Sequence, residues 1–189
     1  MKNDLKVILA SASPRRKELL KMLVEDFEVI PADIDESISA DIMPIMVAEN
    51  IAIKKSQAIK RDDALIIACD TVVIIHDKIL GKPRDADEAF FMLKSLSGET
   101  HSVVTGVCLQ YKGKPHSFSE MTTVRFFELS DDEISEYIKT GEPFDKAGAY
   151  GIQGRGGLLV KGIEGDFYNV VGLPVSRLKR EIDEFLKAL

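Results

Sequence analysis

The segment Ser11-Ala12-Ser13-Pro14-Arg15-Arg16-Lys17 places three cations at the start of a predicted helix. Ser13 suits the N-cap of that helix, and Pro14 suits its first position. Positive charge there opposes the helix dipole and costs roughly a few tenths of a kcal/mol per residue. A bound phosphate would reverse that cost, because it accepts hydrogen bonds from serines, backbone amides and arginines. The segment therefore predicts a phosphate site, with a solvated basic helix start as the alternative.

Asp70 is an acid in unusually apolar surroundings. Asp70 and Thr71 separate the apolar runs Ala64–Cys69 and Val72–Ile75. An ionised carboxylate there must be hydrogen-bonded, paired or bound to a metal, or its burial would cost several kcal/mol. We predict that Asp70 is a general base on water, a ligand of a hard divalent cation, or both. The alternative is an aspartate that only ties down a backbone kink between two strands.

Three further charged residues complete a candidate site. Lys82 lies between Gly81 and Pro83 at a predicted strand end, Glu36 lies in a loop, and Lys55 lies on the inner half of a predicted helix. Considered separately, Glu36 and Lys55 are typical of solvated charges. Considered together with Asp70, they would supply carboxylates for magnesium and cations for phosphate.

Eight of the 13 glycines lie between Gly148 and Gly172. Glycine permits tight turns and a close approach of the backbone to a ligand. The spacing matches neither a dinucleotide fingerprint nor a phosphate loop that ends in Gly-Lys-Ser/Thr. Gln153, predicted on a glycine-flanked strand, has an amide that could pair with the imide edge of uracil or thymine. A surface glutamine in a turn is the alternative.

The elements that must position these residues alternate between strand and helix early in the chain, and long strands dominate its middle. Apolar periodicity and end signals predict helices over 14–23, 45–60, 85–96, 131–140 and 174–189. Strands are predicted over 6–10, 27–31, 65–69, 72–75, 101–111 and 115–127, with a strand-like segment over 148–172. No linker or repeat divides the 189 residues. The pattern predicts one α/β domain over 1–189 with a mixed sheet.

Composition excludes several classes of protein. A net charge of −6 argues against general nucleic-acid binding, which needs a basic face. We expect no membrane span, because no apolar run approaches the necessary length, and no signal peptide, because the N-terminus contains an acid. Cys69 and Cys108 lie in apolar runs and are expected to be buried thiols. A cytoplasmic location is therefore predicted.

Six motifs occur in an order that resembles the Maf family. They are Ser11-x-Ser13-Pro14-Arg15-Arg16, Asp70-Thr71-Val72-Val73, Gly81-Lys82-Pro83, Leu96-Ser97-Gly98, Asp145-Lys146-Ala147-Gly148-Ala149-Tyr150 and Val171-Gly172-Leu173-Pro174. The resemblance extends from about Val7 to Leu178. It implies a nucleoside triphosphate pyrophosphatase whose mixed sheet is flanked by helices, with two lobes around a cleft, similar to inosine triphosphate pyrophosphatases. It also implies a divalent metal, Mg²⁺ or Mn²⁺, and a homodimer, because such proteins are often dimeric.

The resemblance assigns roles to individual residues. It implies that Asp70 accepts the proton and, with Glu36, holds the metal, while Arg16, Lys55 and Lys82 line the phosphate site. Lys146 resembles a further phosphate contact, beside Ser11 and Ser13. Arg15, Thr71 and Gln153 match the branch that hydrolyses dTTP and UTP. Two positions, Ser56 and Cys69, differ from the commoner alanine.

The expected reaction is metal-assisted attack of water on the α-phosphate, which releases a monophosphate and pyrophosphate. One alternative is a nucleotide-binding regulator of cell division, with a role in septum formation and no turnover. Another is a phosphatase or nucleotidyltransferase that uses the same phosphate site.

Overall fold

A computed structural model of the protein describes residues 5–37, 39 and 42–189. Residues Met1 to Asp4, on which the expectation of no signal peptide partly rests, lie outside this part of the chain. Within it, seven strands form one sheet in the order β2-β1-β3-β5-β6-β7, and β4 pairs with β3. β1 is parallel to β2 and β3, whereas β4 and β7 are antiparallel to β3 and β6. The predicted α/β fold with a mixed sheet is therefore confirmed.

The strands span Lys6–Leu9 (β1), Glu28–Val29 (β2), Ala64–Ile75 (β3), Lys78–Leu80 (β4), Thr100–Tyr111 (β5), Lys114–Phe126 (β6) and Val160–Glu164 (β7). The helices span Pro14–Leu20 (α1), Pro44–Ala58 (α2), Ala86–Leu96 (α3), Asp131–Ile138 (α4), Phe167–Val171 (α5) and Val175–Lys187 (α6). Three 3₁₀ helices, Glu142–Asp145, Ala147–Ala149 and Gly154–Leu159, lie between α4 and β7.

The chain divides into two compact units. Unit 1 comprises Met1–Asp70, Thr105–Glu120 and Gly172–Leu189, and unit 2 comprises Thr71–Val104 and Met121–Val171. Three of the four unit boundaries fall inside β3, β5 and β6, and the fourth follows α5; the boundary in β3 separates Asp70 from Thr71.

Unit 1 packs helix α2 closely against strand β5. A Cβ atom added to Gly106 would lie 2.2 Å from the backbone nitrogen of Glu49, so only glycine fits there. The Glu49 carboxylate accepts hydrogen bonds from the hydroxyls of Ser117 (2.7 Å) and Ser119 (2.6 Å) on β6. These contacts fix the helix from which Lys55 projects.

Unit 2 has its own core and well-capped helices. Asp85 caps α3 by accepting a hydrogen bond from the Glu88 backbone nitrogen, and Ser130 with Glu133 forms a capping box at α4. The core contains an aromatic cluster of His101, Phe126 and Tyr150. Burial lowers the pKa of His101 to about 4, and its Nε2 lies 2.7 Å from the Tyr150 hydroxyl.

Two sequence-based expectations about local structure are wrong. Asp70 and Thr71 do not divide the segment into two strands, because β3 continues from Ala64 to Ile75, and the turn follows at His76 and Asp77, both with positive φ. The glycine-dense segment contains only one strand, β7. Positive φ at Gly148 and Gly154 favours turns there instead.

Both cysteines are buried free thiols, as predicted, and burial raises the pKa of each. Across the described ranges, no helix combines the length and apolar character required to cross a bilayer.

Candidate active site

Lys55 lies between two carboxylates in unit 1. Its Nζ is 2.7 Å from Asp70 Oδ1 on β3 and 2.8 Å from Glu36 Oε1 in the loop before α2. The Lys55 side chain is only 10% exposed, Asp70 is 14% exposed and Glu36 is 55% exposed. Asp70 is thus a desolvated acid held by a charge-assisted hydrogen bond, which explains how an apolar strand accommodates it. The structure brings together three of the predicted site residues here.

The loop that presents Glu36 is fixed by its neighbours. Asp35 accepts hydrogen bonds from the backbone nitrogen (2.8 Å) and the hydroxyl (2.7 Å) of Ser37, and these bonds lower the pKa of Asp35. Lys54 Nζ donates to the Ser37 carbonyl oxygen at 2.7 Å. Asp35 and Lys54 are not among the residues predicted for the site, although Asp-x-Ser is a known turn-forming spacing.

Arg16 joins three parts of unit 1. Its Nε donates to the Gly172 carbonyl oxygen (2.9 Å), and one terminal nitrogen donates to the Cys69 carbonyl oxygen (2.9 Å) and the Ser11 hydroxyl (3.2 Å). These acceptors stabilise a cation at the start of α1 without a bound anion. Arg16 therefore holds Ser11 beside the backbone that leads into Asp70.

The predicted start of α1 is confirmed at Pro14, but the predicted capping role of Ser13 is confirmed only in its position. Pro14 begins α1, and Ser13 occupies the N-cap position. In the described structure of α1, however, the Ser13 side chain makes no capping hydrogen bond. Instead, the Ser13 backbone nitrogen donates to the Ser11 hydroxyl at 3.3 Å. Ser11 is buried, whereas Arg15 is half-buried.

Four predicted site residues belong to unit 2. Thr71 is half-buried on β3, and Lys82 is exposed just after β4, where the Gly81 carbonyl oxygen accepts from the Gly148 backbone nitrogen at 3.0 Å. Lys146 Nζ donates to the Glu142 carbonyl oxygen (2.5 Å) and to Asp145 Oδ1 (2.6 Å). Gln153 is exposed at the N-cap of a 3₁₀ helix, so its predicted position on a strand is wrong.

The donor set suits a hard divalent cation that also binds phosphate. Two carboxylates, from Asp70 and Glu36, contact the same ammonium and therefore lie within reach of one cation. Within the described residues, no group of three or more His, Cys, Asp or Glu side chains is arranged to hold a metal ion. Magnesium typically binds one or two carboxylates and completes its shell with water and substrate oxygens.

The fold is similar to that of a HAM1 protein from Coxiella burnetii. The TM-score is 0.55 with 16% sequence identity, over 95% of this chain and 99% of that chain. This likeness defines the class of fold, a mixed α/β sheet flanked by helices.

Sequence comparison gives the family. The family model for Maf-like proteins matches residues 6–185. The chain is 54% identical to a dTTP/UTP pyrophosphatase of Thermosipho africanus, over 92% of this chain and 90% of that protein. It is 51% identical to a dTTP/UTP pyrophosphatase of Carboxydothermus hydrogenoformans, over 96% and 99%. The chain belongs to the Maf family, as its motifs predicted.

Proposed function

We propose that this protein is a nucleoside triphosphate pyrophosphatase that hydrolyses dTTP and UTP to the monophosphate and pyrophosphate. Two relatives that share about half of their residues with this chain, over nearly its whole length, are named dTTP/UTP pyrophosphatase. The structural observation that supports the proposal most strongly is the Lys55 ammonium between Asp70 and Glu36. This arrangement combines a desolvated acid, a second carboxylate and a cation. Hydrolysis of a phosphoanhydride can use all three, the carboxylates to bind a metal and activate water and the cation to neutralise phosphate charge.

Asp70 and Glu36 would hold a divalent cation together with phosphate oxygens of the substrate. When bound, such a cation polarises the phosphoryl group and makes an adjacent water more acidic. Lys55 is then available to neutralise charge on the phosphates, because its two carboxylate partners have another cation to bind.

Asp70 is the proposed general base. It orients a water molecule and accepts its proton as the water oxygen attacks the α-phosphorus. The bond from the α-phosphorus to the bridging oxygen breaks, and pyrophosphate leaves with that oxygen. The Lys55 ammonium stabilises the negative charge that develops, in surroundings where little water screens it.

The remaining predicted contacts divide into two groups. Ser11, Ser13, Arg16, Lys82 and Lys146 are proposed to contact phosphate, and Arg15, Thr71 and Gln153 are proposed to hold the pyrimidine base. Arg16 has the additional task of fixing Ser11, through the hydrogen bonds described above. The predicted homodimer and cytoplasmic location stay predictions from the sequence.

A panel of nucleoside triphosphates, each assayed with Mg²⁺, with Mn²⁺ and with chelator, tests the proposal. We expect metal-dependent release of pyrophosphate and monophosphate in equal amounts, fastest with dTTP and UTP. Orthophosphate as the only inorganic product would indicate a phosphatase. Tight triphosphate binding without any product would indicate a regulator. Either result would overturn the proposed function.

A further inference from the structure

The short loop around Gln153 is held by backbone hydrogen bonds that it donates to Glu142. This glutamate begins the 3₁₀ helix Glu142–Asp145 and is half-buried. Its carboxylate accepts from the backbone nitrogens of Arg155 (3.1 Å) and Gly156 (3.3 Å), the second and third residues after Gln153. Bonds from two successive amides to one carboxylate fix the orientation of the intervening peptide.

Tyr137 holds the opposite end of the same loop. This α4 residue is 4% exposed, and its hydroxyl accepts from the Gly151 backbone nitrogen at 3.3 Å. The Glu142 carboxylate is close enough to this hydroxyl to raise the pKa of Tyr137, and the two side chains together contact the backbone on both sides of Gln153. Burial raises the pKa of Tyr137, so its hydroxyl stays protonated and able to donate at neutral pH.

Close packing and positive φ also restrict which residues the loop accepts. A Cβ atom on Gly156 would lie 2.3 Å from the Gly151 carbonyl oxygen and 2.6 Å from the Tyr137 hydroxyl. A Cβ atom on Gly151 would lie 2.8 Å from the Lys146 side chain. Gly154 has a φ of +65°, which favours glycine. Gly156 therefore cannot carry a side chain and Gly154 favours glycine through its φ, whereas the flexible end of Lys146 could move away from a side chain at Gly151.

We propose that Glu142 and Tyr137 are positioning residues that set the orientation of Gln153 and thereby the preference for the base of the substrate. This inference rests on the proposed function, in which Gln153 contacts the pyrimidine. Gln153 is exposed, and the hydrogen bonds to Glu142 and Tyr137 fix the backbone from which its amide, both a donor and an acceptor, would reach the base. Neither positioning residue needs to contact the nucleotide.

The test compares kcat/KM for dTTP and dCTP in wild type, Glu142→Gln, Tyr137→Phe and Gln153→Ala. Glu142→Gln keeps the size of the side chain but removes the charge that two amides contact. We expect the dTTP preference to fall by about 10-fold in Glu142→Gln and in Gln153→Ala. We expect no further fall when the two substitutions are combined, because both act through one contact. Tyr137→Phe should lower the preference by a smaller factor.

The matched control is Glu128→Gln, at an exposed glutamate of unit 2. It should keep the wild-type preference. A merely structural role for Glu142 would slow both substrates equally and leave their ratio unchanged. Thermal unfolding of each variant identifies any general loss of fold, and Tyr137→Phe provides the ratio if Glu142→Gln does not fold.

The outcomes separate this inference from the proposed function. If Gln153→Ala loses the preference while Glu142→Gln and Tyr137→Phe keep it, the positioning role is wrong and the pyrophosphatase proposal stands. If Gln153→Ala keeps the preference, Gln153 does not select the base and the positioning role is also wrong. If the wild type releases no pyrophosphate from dTTP, the proposed function itself fails.

Discussion

The ion pair between Lys55 and Asp70 should be coupled more strongly than the one between Lys55 and Glu36. The two distances are nearly equal, at 2.7 and 2.8 Å, but the Asp70 side chain is 14% exposed and that of Glu36 is 55% exposed. Water screens the exposed carboxylate, so its coupling to Lys55 should be at most about 1 kcal/mol. The largely desolvated pair should show a coupling energy of about 2–3 kcal/mol.

Two double-mutant cycles measure these energies by urea unfolding at neutral pH in the presence of chelator. One combines Lys55→Met with Asp70→Asn, and the other combines Lys55→Met with Glu36→Gln. The exposed pair Lys139–Glu136, at 2.7 Å with side chains 70% and 66% exposed, is the matched control and should give about 0.5 kcal/mol or less. Equal couplings in the first two cycles would refute the argument that burial makes Asp70 the dominant partner of Lys55.

Two further predictions concern stability. Burial lowers the pKa of His101 to about 4, below its ordinary value of 6.5, so the unfolded chain takes up a proton first as pH falls. Stability should decrease by about 3 kcal/mol between pH 6.5 and 4. His101→Gln keeps a hydrogen-bond partner for Tyr150 and should reduce the change in the free energy of unfolding between pH 6.5 and 4, measured by urea unfolding. If the free energy of unfolding of this variant changed with pH as in the wild type, His101 would not be the group responsible. Gly106→Ala places a Cβ atom 2.2 Å from the Glu49 nitrogen and should cost about 3 kcal/mol or more. The control is Gly81→Ala, whose added Cβ atom would have no neighbour within 4 Å and should change the free energy of unfolding by about 0.5 kcal/mol or less. Similar melting temperatures for Gly106→Ala and Gly81→Ala would disprove the close contact between Gly106 and Glu49.

Sequence reasoning predicted the elements whose signals are local. The helices predicted over 131–140 and 174–189 and the strands predicted over 101–111 and 115–127 follow from residues a few positions apart, and the structure has α4, α6, β5 and β6 there. Local signals also explain the main error in the fold. Glycine-rich sequence permits either strands or turns, and positive φ at residues such as Gly148 and Gly154 decides for turns.

The candidate site depended on contacts that no local pattern contains. The local sequence marks Asp70 as an acid among apolar residues, but Lys55, the partner that allows it to continue a strand, is 15 residues away in sequence. The sequence predicts an anion beside Arg16 at the start of α1. The structure adds protein acceptors that no local pattern indicates, the carbonyl oxygens of Cys69 and Gly172, 53 and 156 residues away. Glu142 was missed for the same reason, because only the folded loop brings the backbone nitrogens of Arg155 and Gly156 to its carboxylate.

The most direct test of the proposed mechanism is the rate of pyrophosphate release from dTTP by Asp70→Asn at saturating metal and substrate. Asparagine retains the shape of the side chain and an acceptor for Lys55, but it cannot take a proton from water. The variant should fold, bind dTTP within a few-fold of the wild-type affinity, and release pyrophosphate at least about 100-fold more slowly. A folded variant that keeps most of the wild-type rate would contradict the assignment of Asp70 as the general base.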